Sequence, residues 1–178
     1  MTEIAICRLT PGNQTDLNRC DNSFLVEAEL RLHAEEGRIG YTVRPVAPYV
    51  KRYGPETYDA AAYIGRPDHA AWLAYVEGRI AGQVLMQEHW NRLAIVWDIA
   101  VEPPFRRLGV GRRLMVQAIG WARERGLPGV MLETQNINVA ACRLYESCGC
   151  VLGGLDGYLY RGIDRNSQEI ALFWYLLF

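Results

Sequence analysis

The sequence lacks any apolar run long enough to span a membrane, so no membrane association is expected. Its first residues, Met1 to Thr10, carry Glu3 and Arg8 and no signal-peptide core, which reads as a cytoplasmic chain. Charge of neither sign prevails: the formal net charge is -1, with none of the basic excess a nucleic-acid binder carries. The five cysteines, Cys7, Cys20, Cys142, Cys148 and Cys150, contain no CxxC pair, so reduced, buried thiols are expected. His33, His69 and His89 are far apart and suggest no metal motif. No repeat, low-complexity tract or linker interrupts the chain. With 178 residues, half of them hydrophobic, a single domain over residues 1–178 is expected.

What is present is a change of period. Asp21 to Glu36 reads as a helix, with Phe24, Leu25, Ala28 and Leu32 apolar and Gly37 beyond. Arg44 to Gly54, holding two prolines, reads as loop. Residues 3–9 suggest a first strand. Ala71 to Val76 and Ile80 to His89 read as a hairpin about Glu77-Gly78, and Asn91-Arg92 as a second tight turn. Leu93 to Val101 is almost continuously apolar, as a central strand is. Val110 to Arg125 is predicted helical, ended by Gly126 and Pro128; Asn138 to Cys148 is a second helix, with Asn138 as N-cap and Gly149 beyond its end. Val130 to Gln135, Val151 to Tyr160 and Glu169 to Leu177 complete the strands. The order predicts an α+β class with a mixed sheet.

The most informative stretch lies between a buried strand and an amphipathic helix: Val101-Glu102-Pro103-Pro104-Phe105-Arg106-Arg107-Leu108-Gly109-Val110-Gly111-Arg112. Glycines at a helix mouth let N–H groups approach an anion, and the helix dipole with Arg106, Arg107 and Arg112 adds positive potential. A pyrophosphate suits such a cradle. The stretch is neither a Walker sequence nor a full GxGxxG fingerprint. The plainer reading is a capped helix with solvated arginines.

Arg106-x-x-Gly109-x-Gly111, preceded by Ile99-Ala100-Val101 and Pro103, resembles motif A of the GNAT N-acetyltransferases. The resemblance implies a mixed, mostly antiparallel central sheet flanked by helices, and acetyl-CoA as cosubstrate without a metal. It implies that Ile99, Ala100 and Val101 line the pantetheine, that Arg107, Leu108, Gly109, Val110, Gly111 and Arg112 hold the pyrophosphate, and that Asn138 contacts the cofactor. Further stretches resemble the streptothricin acetyltransferases within that superfamily: Trp90-Asn91, Leu132-Glu133-Thr134-Gln135, Asn138-Val139-x-Ala141-Cys142-x-Leu144-Tyr145, Cys148-Gly149 and Phe173-Trp174-Tyr175-Leu176. So do Phe24, Pro48-Tyr49 and Lys51-x-Tyr53. That likeness implies a small-molecule amine acceptor, with streptothricin acetylated on its β-lysine part and resistance as the outcome. In that group a glutamate often stands where this chain has Trp97, and some relatives carry an acidic insertion replaced here by only Glu56, Asp59 and Asp68.

Acetyl transfer to an amine needs the amine neutral. A lysine-type amine of pKa about 10.4 is neutral in about one molecule per thousand near pH 7, so a base is useful. Glu133 is the first candidate, by resemblance to a GNAT general base. Asp98 is its rival, because strand alternation groups it with Ala94, Val96 and Ala100, small enough to leave a pocket. Either carboxylate could instead be structural. Tyr145, seven residues after Asn138, is the candidate proton donor to the leaving thiolate; a packed core tyrosine is the alternative. Cys142 and Cys148 lack a nearby histidine and read as core. A peptide N-terminus, polyamine or other metabolite amine as acceptor, and a non-catalytic acetyl-CoA sensor, stay open as rival readings. The oligomeric state, monomer or homodimer, is not legible.

Overall fold

Alternation rather than helical period governs the early part of the chain. A computed structural model describes residues 3–54 and 56–178. Met1 and Thr2, read above for a leader, lie outside the described residues. Phe24–Glu35 and Arg38–Lys51 are antiparallel strands, β2 and β3, which corrects both the helix expected over 21–36 and the loop expected over 44–54. In Val26-Glu27-Ala28-Glu29-Leu30-Arg31-Leu32-His33 every second residue is apolar, and Val26 and Leu30 are the buried pair. Glu36 and Gly37, both at positive φ (49° and 75°), make the tight turn that the right-handed twist of a hairpin favours.

The chain divides into two compact units. The first comprises Met1–Asn22, Tyr53–Val130 and Leu177–Phe178. Here β1 (Ile4–Arg8), β4 (His69–Val76), β5 (Arg79–Glu88) and β6 (Ala94–Val101) pair antiparallel in the order β1-β4-β5-β6. Glu77 and Gly78, at φ 49° and 74°, form the β4–β5 turn. Helix α1 (Val110–Glu124) buries Val110, Leu114, Met115, Ala118, Trp121 and Ala122 on one stripe and packs on β4, β5 and β6. Gly126, at φ 66°, follows its end. The opposite face of these strands carries a second core of Leu9, Leu17, Tyr63, Ala71, Leu73 and Leu85.

The second unit comprises Ser23–Arg52 and Met131–Leu176. It holds the β2–β3 hairpin, strands in the order β7-β9-β8, namely β7 (Gly129–Gln135, begun in the first unit), β9 (Ala171–Leu177) and β8 (Val151–Asp156), and helix α2 (Val139–Ser147). Residues 157–160, expected to extend β8, instead lead into a 3₁₀ turn over Leu159–Gly162. Asn136 is the hub of this unit. It exchanges bonds with Leu30 and with Ile170 through both backbone and side chain, at 2.8 to 3.4 Å. The described strand pairs are antiparallel, and with two α-helices the class is α+β, mostly antiparallel, as expected. Cys142 and Cys150 are buried as expected, whereas Cys7 is exposed and Cys20 and Cys148 are intermediate.

Close approach of α1 to β5 depends on Gly82. A Cβ there would lie 2.8 Å from the Ala100 carbonyl oxygen and 3.0 Å from both Leu114 Cδ1 and Val110 Cγ1. The carbonyl belongs to the neighbouring strand and has no rotamer to change. Gly82→Ala is therefore expected to destabilise the protein by about 1–3 kcal/mol. A urea denaturation curve with an unmoved midpoint would refute this.

Candidate active site

Strand β6 leads directly into the loop singled out by sequence. Glu102 N–H donates to the Ala81 carbonyl at 3.0 Å, and a 3₁₀ turn follows at Pro103–Phe105, with Phe105 buried under the Arg79 guanidinium. Arg106 turns inward: Nε donates to the Val101 carbonyl at 2.8 Å and Nη2 to the Asp21 carbonyl at 3.1 Å. It braces the strand end against the N-terminal segment. Arg107 and Gly109 have φ of 67° and 92°, so the backbone reverses hand twice within three residues. Gly109 is the N-cap of α1 and no side chain caps the helix, leaving the first-turn N–H groups and the positive dipole end for an anion. Arg107 and Arg112 are exposed beside them. A Cβ at Gly109 would meet nothing within 4 Å, so the cradle is open and fits a pyrophosphate.

The structure corrects the face assigned to Asp98. Leu85 pairs with Asp98, but Met86 pairs with Val96, so Trp97 is an extra residue in β6. A bulge of this kind reverses the alternation beyond it. Ala94 and Val96 therefore share the face of Met86, while Asp98 and Ala100 stand on the face of Leu85 and Gln83. There Asp98 lines a small cavity with Asn18, Cys20, Asn22, Glu56, Tyr58, Gln83 and Ala100. Gln83, 4% exposed, donates from Nε2 to Asp98 Oδ2 at 2.6 Å. Burial raises the Asp98 carboxyl to about 6, against the lowering effect of the Gln83 bond, and the Glu56 charge raises it further.

In the second unit Glu133 accepts a hydrogen bond from the Tyr160 hydroxyl at 2.6 Å, and that hydroxyl accepts one from Gln135 Nε2, also at 2.6 Å. Burial raises the Glu133 carboxyl; the Tyr160 bond lowers it and Glu169 raises it. The Tyr160 phenol is itself pushed strongly upward by burial and by Glu133. Asn138 caps α2, its Oδ1 accepting from Ala141 N–H at 3.2 Å, which leaves Nδ2 as the atom able to donate to a ligand. Tyr145 and Cys142 are the buried residues of α2, and the Tyr145 ring meets Trp174 edge-on with centroids 6.4 Å apart. Glu27 and Glu29, within the stretch expected to be helical, lie on β2. Glu29 is 3.2 Å from Arg31 and 3.9 Å from Arg44, which compensate its charge.

Sequence reasoning missed Gln83, Asn18, Tyr58 and Tyr160. Only Gln83 had a signal, as a polar residue inside the apolar run of β5. Among the described residues no group of three or more His, Cys, Asp or Glu is gathered as for a metal, and no helix is long and apolar enough to cross a membrane.

A strand running into an uncapped, glycine-bearing helix mouth is an anion-holding arrangement of the kind that takes a coenzyme's phosphates. Residues 39–150 match the Acetyltransferase (GNAT) family, and the chain belongs to that family. It is an enzyme, an N-acetyltransferase that uses acetyl-CoA, which sets aside the sensor reading. Among its relatives, Streptothricin acetyltransferase A of Bacillus subtilis (strain 168) is 36% identical over 174 residues, or 97% of this chain and 99% of that protein. Streptothricin acetyltransferase of Escherichia coli is 34% identical, with 87% of this chain and 86% of that protein covered. A crystal structure assigned to a streptothricin acetyltransferase of Bacillus anthracis str. Ames, in complex with acetyl coenzyme A, has a TM-score of 0.92 at 41% identity, covering 99% of this chain and 100% of that one. Nourseothricin acetyltransferase has a TM-score of 0.82 at 32% identity, covering 99% of both chains.

Proposed function

We propose that this enzyme acetylates streptothricin-type antibiotics on an amine of their β-lysine part, acts in the cytoplasm as one catalytic domain over residues 1–178, and confers resistance. The observation that carries this reading is the extent of the likeness. The relative solved with acetyl coenzyme A is matched over 99% of this chain, well beyond residues 39–150 that carry the family pattern.

The roles of the residues follow from their chemistry. Bound acetyl-CoA supplies an activated acetyl thioester. The backbone of Ile99, Ala100 and Val101 offers N–H and C=O groups to the pantetheine arm, and an N–H in this stretch can stabilise the oxyanion. Residues 107–112 hold the pyrophosphate through backbone N–H groups, the α1 dipole and the exposed guanidinium groups of Arg107 and Arg112. Arg106, also a cofactor-binding candidate, keeps that loop in register through the Val101 and Asp21 carbonyls and adds its charge to the cradle. Asn138 donates from Nδ2 to the cofactor. Tyr145 donates its hydroxyl proton to the departing thiolate, and Glu133 or Asp98 receives the proton of the amine.

Acetyl transfer to streptothricin, spermidine and a lysine-containing peptide is to be compared at two salt concentrations. Streptothricin is expected to be the best acceptor. Its rate should fall only modestly with salt, because exposed charges are screened over about 10 Å at 0.1 M. Transfer to spermidine or the peptide with none to streptothricin would overturn the acceptor assignment and leave the acetyltransferase assignment intact.

A further inference from the structure

The bulge at Trp97 turns Asp98 away from α1 and into a setting that the sequence motif does not contain. The Asp98 carboxylate meets one side-chain donor there, Gln83 Nε2 at 2.6 Å. The orientation of Gln83 is itself determined, because its Oε1 accepts the Asn18 N–H at 3.0 Å, and a backbone N–H can only donate. Asn18 is held in turn by Tyr58, accepting from its N–H at 2.9 Å and donating from Nδ2 to its carbonyl at 2.8 Å. A chain of bonds thus runs from the Tyr58 backbone through Asn18 and Gln83 to Asp98.

We infer that Gln83 is a positioning residue of the acetyl transfer: anchored by Asn18, it holds the Asp98 carboxylate as the proton acceptor for the primary ammonium of the acceptor. The inference rests on the reading above that Ile99–Val101 line the pantetheine arm and its thioester, since Ala100 lines the same cavity as Asp98. The cavity, of about 20 Å³, has room for one group the size of water or an ammonium. Its remaining walls are polar and supply no cation: Asn18, Asn22, Cys20, Tyr58 and Glu56, whose carboxylate takes the Tyr58 hydroxyl bond. A primary ammonium brings the charge and the donors that this lining lacks. Glu56, exposed and in the cavity wall, suits a second cation on the same acceptor, so a diamine is preferred to a monoamine.

The groups facing Asp98 set its titration. Glu56 raises it and Gln83 lowers it, while Tyr58, Tyr63 and Cys20, each held protonated by burial and by Asp98 itself, add no charge near neutrality. A proton acceptor must be ionised, so activity climbs as pH rises through about 6. Removing the Gln83 donor moves this limb up, and removing the Glu56 charge moves it down.

The test is the pH profile of kcat/KM with the best acceptor of the panel, in wild type, Gln83→Met, Glu56→Gln and Asp98→Asn. Acetyl-CoA affinity is measured beside it by calorimetry. Gln83→Met is expected to shift the acid limb upward by about one pH unit and to lower kcat more than it changes acetyl-CoA affinity. Glu56→Gln should shift the limb downward and raise KM for spermidine while leaving KM for a monoamine. Asp98→Asn should abolish the limb with a loss of about 100-fold or more. Opposite shifts in the first two variants cannot come from a packing defect. An acid limb at wild-type position in Glu56→Gln, which removes the charge while keeping an oxygen able to accept the Tyr58 hydroxyl bond, together with one retained in Asp98→Asn, would overturn the inference. Because the best acceptor is used whichever it is, streptothricin failing as a substrate would leave this result readable.

Discussion

Tyr145→Phe is expected to lower kcat by about 10- to 1000-fold while acetyl-CoA affinity changes little. The substitution keeps the ring, and the ring is what packs: Tyr145 is 4% exposed and lies edge-on to Trp174. Only the hydroxyl is lost. A phenol of pKa about 10 matches a thiol well enough to protonate a departing thiolate, and this bond matters only as negative charge develops on sulfur. The loss should therefore fall on kcat rather than on ground-state binding. An acyl donor with a leaving group of low pKa should recover much of the rate, because such a group needs no proton. A kcat within twofold of wild type would leave Tyr145 as a packing residue.

Gly109→Glu and Gly111→Glu are each expected to weaken acetyl-CoA binding by about 10- to 1000-fold, since like charges about 4 Å apart repel by about 4 kcal/mol at an effective dielectric near 20. The two variants differ in a useful way. Gly109 sits at φ 92°, which an L side chain adopts only with strain, so Gly109→Glu combines repulsion with backbone distortion. Gly109→Ala separates the two. Gly111 lies in the first turn of α1, where a carboxylate favours the helix through its dipole. Gly111→Glu should thus keep the protein folded while repelling the pyrophosphate. Unchanged affinity in both glutamate variants, measured by calorimetry, would remove the loop from the cofactor site.

Much of the fold was legible because its signals are local. The Glu77-Gly78 turn, the apolar run of β6, the four-residue stripe of α1 and the Asn138 and Gly149 ends of α2 depend on propensity and spacing within a few residues. Each is found where the pattern predicts it, with Gly149 at φ 90°. The β2–β3 hairpin was misread although its signal was equally local. Phe24, Leu25, Ala28 and Leu32 fit a helical spacing, but Leu25 proves exposed and the buried residues are Val26 and Leu30. The strict alternation from Val26 to His33 and the Glu36-Gly37 turn outweighed the helical fit.

The sequence by itself determined the family: the loop from Arg106 to Arg112 and the Asn138 to Tyr145 helix are contiguous, and their chemistry resides in backbone geometry that glycines and caps dictate nearby. It also supplied the two carboxylates, Glu133 and Asp98. What each carboxylate faces was decided only by tertiary structure. One inserted residue, Trp97, reverses the side of the sheet on which Asp98 emerges, and nothing in a run of apolar residues marks where a strand partner skips. Gln83 then bonds Asp98 from 15 residues away, and Asn18 and Tyr58, 80 and 40 residues away, line the same cavity and hold Gln83 in place. Tyr160 reaches Glu133 across 27 residues in the same manner. A raised carboxyl pKa is the sum of such burial and distant partners, so it belongs to the folded chain and to no segment of it.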